Sequence, residues 1–440
     1  MLLIKNGLLV TNDLQNTIID NGAVLMDGNK VSQVGDSADL QQRFPNCETI
    51  DATGRIIMPG LVNLHMHTYG LYARGISLNT PPAEDFIQIL QRLWWTLDKA
   101  LTPEGVYYSA LVMFIECIKN GVTTVFDHHA SPTCVRGSLF SILEAARKAK
   151  LRSCLCYEVS DRDGERICDE GIRENVDFIN AAKSMSDTAG MFGMHSLLTL
   201  SDRTLEKCAR ENPAGSGFHI HVAEGKGELY DNLLHHNMRP VERLDKFGIL
   251  NDRTFAGHCI YINESEMDTI RDRGTVVLHN PQSNMGNAVG CQNLMKLFEK
   301  NVQVALGTDG YTADMFESMK TVNILHKHQN ADPRVAWGEP IQMLMNNNPD
   351  IASRYYDVPV GRLMPGYAAD AIIVDYFAPT PLNSNTLGGH MHFGMSGKSV
   401  SSVVSNGEVV MKERQLLLGL DEAEIAAKSR EEAVRVWNRL

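Results

Sequence analysis

Eight short apolar runs, alternating with longer segments of helical spacing, constrain this chain more than any other feature of its sequence. The runs cover residues 56–67, 122–128, 152–159, 192–198, 217–223, 254–260, 275–280 and 302–308. Between them, residues 82–99, 103–119, 138–150, 228–247 and 263–273 carry apolar side chains at helical intervals. Strands joined by helices predict parallel pairing, and eight of them predict a (β/α)8 TIM barrel over residues 56–359. A doubly wound open sheet is the rival α/β fold, but it would place a glycine-rich phosphate loop after its first strand. The sequence has none there.

The flanks read differently. In residues 1–55, Asp27-Gly28-Asn29 separates two strand-like runs, Ala23-Val24-Leu25-Met26 and Lys30-Val31-Ser32-Gln33-Val34. Asn406-Gly407 marks a second hairpin within residues 360–420. Neither piece can bury a sheet face alone. The two are expected to join as one sheet or small β-sandwich domain, with the barrel inserted between them and a charged helix at 421–440 closing the chain.

In the predicted barrel, chemistry belongs at the C-terminal ends of the strands. The first run ends in His65-Met66-His67, whose two imidazoles share a strand face. Such a pair is by itself weak evidence, and a lone strand-end histidine is more often a hydrogen-bonded structural residue. The coincidence is what carries weight. The fifth run ends His219-Ile220-His221-Val222-Ala223-Glu224, the sixth Ala256-Gly257-His258-Cys259, and the eighth Gly307-Thr308-Asp309-Gly310. His65, His67, His221 and Asp309 can cage one divalent metal ion; zinc is the expected ion, with iron or manganese compatible. Such an ion lowers the pKa of bound water from 15.7 to roughly 7, generating hydroxide. Asp309 can then serve as base, Glu224 as acid, and His258 can orient the water or the oxyanion.

Composition narrows the partners. A net charge of −12 opposes binding to nucleic acid or an anionic membrane. No window approaches the roughly 18 apolar residues of a membrane span. The first ten residues resemble a signal peptide only until Asn6-Gly7 and Asp13, and no small-residue cleavage site follows. Nine cysteines without paired spacing suggest a reduced, cytoplasmic protein acting on a small molecule.

These motifs together resemble the amidohydrolase superfamily, in its chlorohydrolase and cytosine-deaminase-like branch. Pro59-Gly60-Leu61-Val62-Asn63-Leu64-His65-Met66-His67 is similar to its first-strand motif, and Trp95-Thr96-Leu97-Asp98 to its first connection, with Asp98 where glutamate is usual. The fifth, sixth and eighth strand ends match in turn, and His279-Asn280-Pro281-Gln282-Ser283-Asn284 resembles the seventh. The resemblance implies His65, His67, His221 and Asp309 as ligands of one metal, Glu224 as proton relay, and His219 one layer deeper in the barrel. It implies a mononuclear site, because the fourth run, Met191-Phe192-Gly193-Met194-His195-Ser196, has no lysine to bridge two ions. It also places His195 at the substrate and suggests a homodimer or higher homo-oligomer. Glu158, at the end of the third run, and Asn284 are further candidates for substrate contact, with a surface strand-end carboxylate as the alternative reading of Glu158. Two loops depart from the family pattern, Met285-Gly286-Asn287-Ala288-Val289-Gly290 and Tyr311-Thr312-Ala313-Asp314-Met315. With Asp127-His128-His129-Ala130-Ser131-Pro132, they are most similar to aminohydrolases associated with selenium-dependent purine metabolism. The expected reaction is hydrolytic deamination of a heterocyclic, purine-like amine by metal-bound hydroxide. Hydrolysis of a cyclic amide or halide on the same site is the alternative. A non-catalytic scaffold is disfavoured by the complete ligand and relay set.

Overall fold

A computed structural model describes all residues, 1–440. Its parallel strands form a TIM barrel in two arcs. One arc contains Leu61–Met66, Val122–His129, Arg152–Tyr157 and the short Thr188–Gly190. The other contains Phe192–Ser196, Phe218–Val222, Phe255–His258, Val276–His279 and Val304–Leu306. The fourth barrel strand therefore straddles a seam, pairing through Thr188–Gly190 on one side and Phe192–Ser196 on the other.

Single backbone bridges close the ring: Val159 with Met194 at that seam, Met66 with Asp309 at the other. A glycine permits each approach. A Cβ added at Gly193 would lie 2.3 Å from the Tyr157 carbonyl oxygen, and one at Gly307 would lie 2.7 Å from His65 Cβ. Gly193→Ala must move backbone rather than a flexible side chain. It is expected to cost about 1–3 kcal/mol, read as a lowered denaturation midpoint.

The predicted first run is not one strand. Ile56–Pro59 belongs to a nine-stranded sheet, whereas Leu61–Met66 starts the barrel. The switch falls at Gly60, whose N–H donates to the Asp370 carbonyl while Leu61 donates to that of Gly121. Strands from both ends of the chain meet in this sheet: Leu2–Val10 pairs with Ile56–Pro59, which pairs in turn with Ala371–Val374 and through it with Val400–Ser405. They enclose a core of 14 buried apolar residues, including Ile4, Leu9, Ile57 and Ile373.

Helices coat the barrel. Pro103–Lys119 starts on a Thr102 cap with proline in its first turn, which the sequence signals directly. The expected helix at 228–247 is instead two, Lys226–His236 and Pro240–Lys246, because Asn237 turns left-handed and Pro240 restarts the helix. Residues 82–99 likewise resolve into Phe86–Ile89, a π-helical turn at Leu90–Trp94, and Trp95–Ala100. Glu422–Trp437 packs back on the barrel, where Trp437 donates to the Tyr72 carbonyl. No helix is long and apolar enough to cross a membrane, and all nine cysteines are free thiols.

The barrel interior is layered. Phe126 and Phe255 fill its lower part, with ring centroids 5.5 Å apart. His219 rests on Phe255 at 5.4 Å, and His65 lies above His219.

Candidate active site

The strand ends converge on one pit. His65 and His67 leave the first strand on the same side, with ring centroids 4.9 Å apart. Each has its Nδ1 engaged by the protein: His65 with His219 Nε2 at 2.8 Å, and His67 with the His128 carbonyl at 2.5 Å. His221, from the fifth strand, donates through Nδ1 to the His195 carbonyl at 3.0 Å. Hydrogen bonds on Nδ1 fix the tautomer that leaves Nε2 free for a metal. The Nε2 atoms of His67 and His221 face each other at 3.3 Å, and Asp309 Oδ1 lies 3.3 Å from that of His67. His65 Nε2 is buried without any partner. Unpartnered, inward-facing imidazole nitrogens beside a carboxylate fit a divalent cation and little else.

Backbone strain aims two of these groups. Asp309 has φ of +56° and His258 φ of +67°, a region non-glycine residues enter at a cost of about 1–3 kcal/mol. His258 Nε2 thereby sits 3.4 Å from Asp309 Oδ2 and 3.5 Å from Glu224 Oε2. Its Nδ1 donates to Asn284 Oδ1 at 2.7 Å. Asn284, expected at the substrate, is fully buried behind His258 and does not border the cavity. Its helix, Pro281–Gly286, turns that side chain toward the sixth strand.

Electrostatics separates the carboxylates. Burial, then Asp309 and Glu228, push the Glu224 carboxyl well above its ordinary range. Burial opposes ionisation of Asp309 as well, but His67, His258 and His221 outweigh it and lower its pKa. Burial likewise lowers His67, yet Glu158 and Asp309 carry it up to about 9. Glu158 lies within 3.2 Å of His67 Nδ1 and 3.9 Å of His195 Nε2.

A cavity of about 470 Å³ opens above the pit. Tyr69, Phe86, Leu90 and Trp94 form an apolar wall, while Glu158, His195 and Glu224 border it near the floor. Phe86 and Trp94 were missed in the sequence because Phe86 opens the helix that runs into the π-helical turn and Trp94 is the last residue of that turn, which shifts the helical face that the spacing suggests.

Glu228 also borders the cavity; burial pushes its carboxyl up to about 8. Because the folded-state pKa exceeds the unfolded one, the folded protein binds the extra proton and loses stability as pH rises from about 4.5 to about 8. Glu228→Gln is therefore expected to raise the melting temperature at pH 8 and leave it unchanged at pH 4, as read in paired thermal scans.

Comparison with known proteins decides the family. The amidohydrolase family model matches residues 56–410. The chain belongs to the amidohydrolase family. This amidohydrolase is 29% identical to a 5-methylthioadenosine/S-adenosylhomocysteine deaminase of Pelotomaculum thermopropionicum, covering 100% of this chain and 99% of the relative. It is 30% identical to a 5'-deoxyadenosine deaminase of Methanosarcina mazei, covering 98% of each chain. Among solved structures, a zinc-bound adenosine deaminase from Xanthomonas campestris superposes with a TM-score of 0.87 at 22% identity, covering 99% of this chain and 98% of that one. Escherichia coli guanine deaminase gives 0.80 at 18% identity, covering 94% of this chain and 100% of that one.

Proposed function

We propose that this amidohydrolase is a metal-dependent hydrolytic deaminase of a purine-like amine, with His65, His67, His221 and Asp309 as the ligands of one divalent ion, zinc being the expected one. When bound, such an ion acts as a Lewis acid that brings the pKa of water from 15.7 to roughly 7. The chain's own residues supply the rest.

The observation that carries this reading is the position of His258, its Nε2 between Asp309 and Glu224 at 3.4 and 3.5 Å. Asp309, held ionised by its histidines, takes the proton of the attacking water. Glu224, whose carboxyl burial holds well above its ordinary range, delivers a proton to the ring nitrogen next to the attacked carbon. His258, fixed by Asn284, orients the water and the oxygen that becomes the product carbonyl. The ring carbon gains oxygen and loses ammonia, which departs with the transferred protons. Trp94 and Phe86 offer aromatic faces for a planar heterocycle, and His195 and Glu158 offer it hydrogen bonds. The names of the sequence relatives, which specify adenine-bearing substrates, support the purine-like class.

A panel of purines, adenine nucleosides, pyrimidines and pterins, assayed for ammonia release with metal-replete protein, tests the proposal. Ammonia accompanied by an intact ring supports deamination. A ring-opened carboxylate product, or no ammonia from any member, sinks it.

A further inference from the structure

The apolar wall of the cavity carries one hydroxyl, that of Tyr69. This residue follows His67 by two positions, in the short 3₁₀ helix Thr68–Ala73. The backbone is pinned on both sides of it. Thr68 N–H donates to the buried Asp127 carboxylate at 2.7 Å. Gly70 lies so close to Gly310 that an added Cβ would sit 3.3 Å from its Cα.

The Tyr69 ring is held as firmly. It meets the rings of His67, His129 and Trp94 edge to face, with centroids 5.6, 5.7 and 6.3 Å apart, an arrangement that aromatic side chains favour. Only 4% of the residue is exposed. Phenylalanine would satisfy all of this packing equally well.

The oxygen is what phenylalanine would lack, and the rest of the chain makes no use of it. The hydroxyl has no hydrogen-bond partner in the protein, and it opens to the cavity instead of being sealed behind the wall. At an ordinary pKa of about 10 the phenol is protonated at neutral pH, and burial, followed by the Glu158 charge, opposes loss of that proton. Tyr69 therefore presents a fixed O–H donor to the cavity that Glu158 and His195 also border. Its only available partners are water and whatever the cavity binds. A donor so placed is organised for binding in advance, because little side-chain freedom remains to be lost.

We infer that Tyr69 is a substrate-binding residue, its hydroxyl donating a hydrogen bond to a lone-pair nitrogen of the heterocycle other than the one that Glu224 protonates. This inference rests on the proposed deamination of a purine-like amine and adds a contact to it.

Kinetics of ammonia release from adenosine, 3-deazaadenosine and 7-deazaadenosine by zinc-loaded protein test it. With adenosine, Tyr69→Phe is expected to raise KM about 2–10-fold, the worth of one neutral hydrogen bond. It should leave kcat and bound zinc unchanged, because the contact is the same in the bound substrate and during attack. With the analogue that has carbon in place of the accepting nitrogen, the substitution should change nothing. In the ligand-free protein the melting temperature should not fall, since the hydroxyl bonds to no part of the chain. If another purine of the panel is the one turned over, the comparison is made on that purine and its deaza analogues. A lowered melting temperature, an unchanged KM, or a KM raised equally for all three compounds would overturn the inference and leave deamination standing. Absence of ammonia from every member of the panel would remove the proposed function and this contact together.

Discussion

Glu224→Gln is expected to lower kcat by about 10²–10⁴-fold while bound metal stays at the level of the unaltered protein. Glutamine keeps the size of the side chain and removes the transferable proton. Glu224 lies outside the four expected ligands, and its Oε2 faces His258 Nε2 at 3.5 Å, so the metal cage should survive. The pH profile adds a second signature. A carboxyl held well above its ordinary range keeps its proton to higher pH than an ordinary glutamate. Activity that needs this proton falls as pH rises through that raised value, and the corresponding limb of kcat/KM should vanish in Glu224→Gln. Loss of metal from the variant, or a drop of less than tenfold, would remove Glu224 from its assigned role.

The second large effect concerns the link between barrel and small sheet. Arg152 opens the third barrel strand with only 2% of its surface exposed. Its guanidinium pairs with the Asp370 carboxylate and with the Asn406 side-chain oxygen, and the Asn406 N–H donates to the same carboxylate at 2.7 Å. Asp370 is 1% exposed, so Arg152→Met strands a charge that water cannot reach. A buried pair broken on one side costs about 3–5 kcal/mol. The double variant Arg152→Met with Asp370→Asn should recover part of that loss, because it removes the stranded charge. Equal stability of the single and double variants in denaturant titrations would rule out this account.

The elements that sequence made legible share a cause. Strand-end residues such as His65, His221 and Asp309 are placed by period-two alternation in a parallel barrel, so naming the strand names the face. The helix Pro103–Lys119 announces its own start through Thr102 and Pro103. What stayed hidden depends on turns and on distant neighbours. Asn284, expected at the substrate, stands on the helix after the seventh barrel strand, where strand spacing gives no direction. His128 belongs to the Asp127–Pro132 motif, but its packing flat against His219, 91 positions away in sequence, is visible only in the fold. The break of the first run at Gly60 is signalled only by the Pro59-Gly60 turn, since the strands on both sides of it are equally buried.

The two seams of the barrel have a thermodynamic corollary. His65 and His67 belong to one arc, whereas His221 and Asp309 come from the other. An ion gripped by all four is a further tie across half-shells whose seams are otherwise held by a few hydrogen bonds, such as Val159 N–H to the Gly193 carbonyl and Asp309 N–H to the His65 carbonyl. Chelation should therefore loosen the whole barrel as well as silence its chemistry. At free ion a hundredfold above Kd, the ligated fold gains about 2.7 kcal/mol over the apo fold. Hydrogen exchange after chelation should quicken first along Val159, Met194, Met66 and Asp309, where the two half-shells touch.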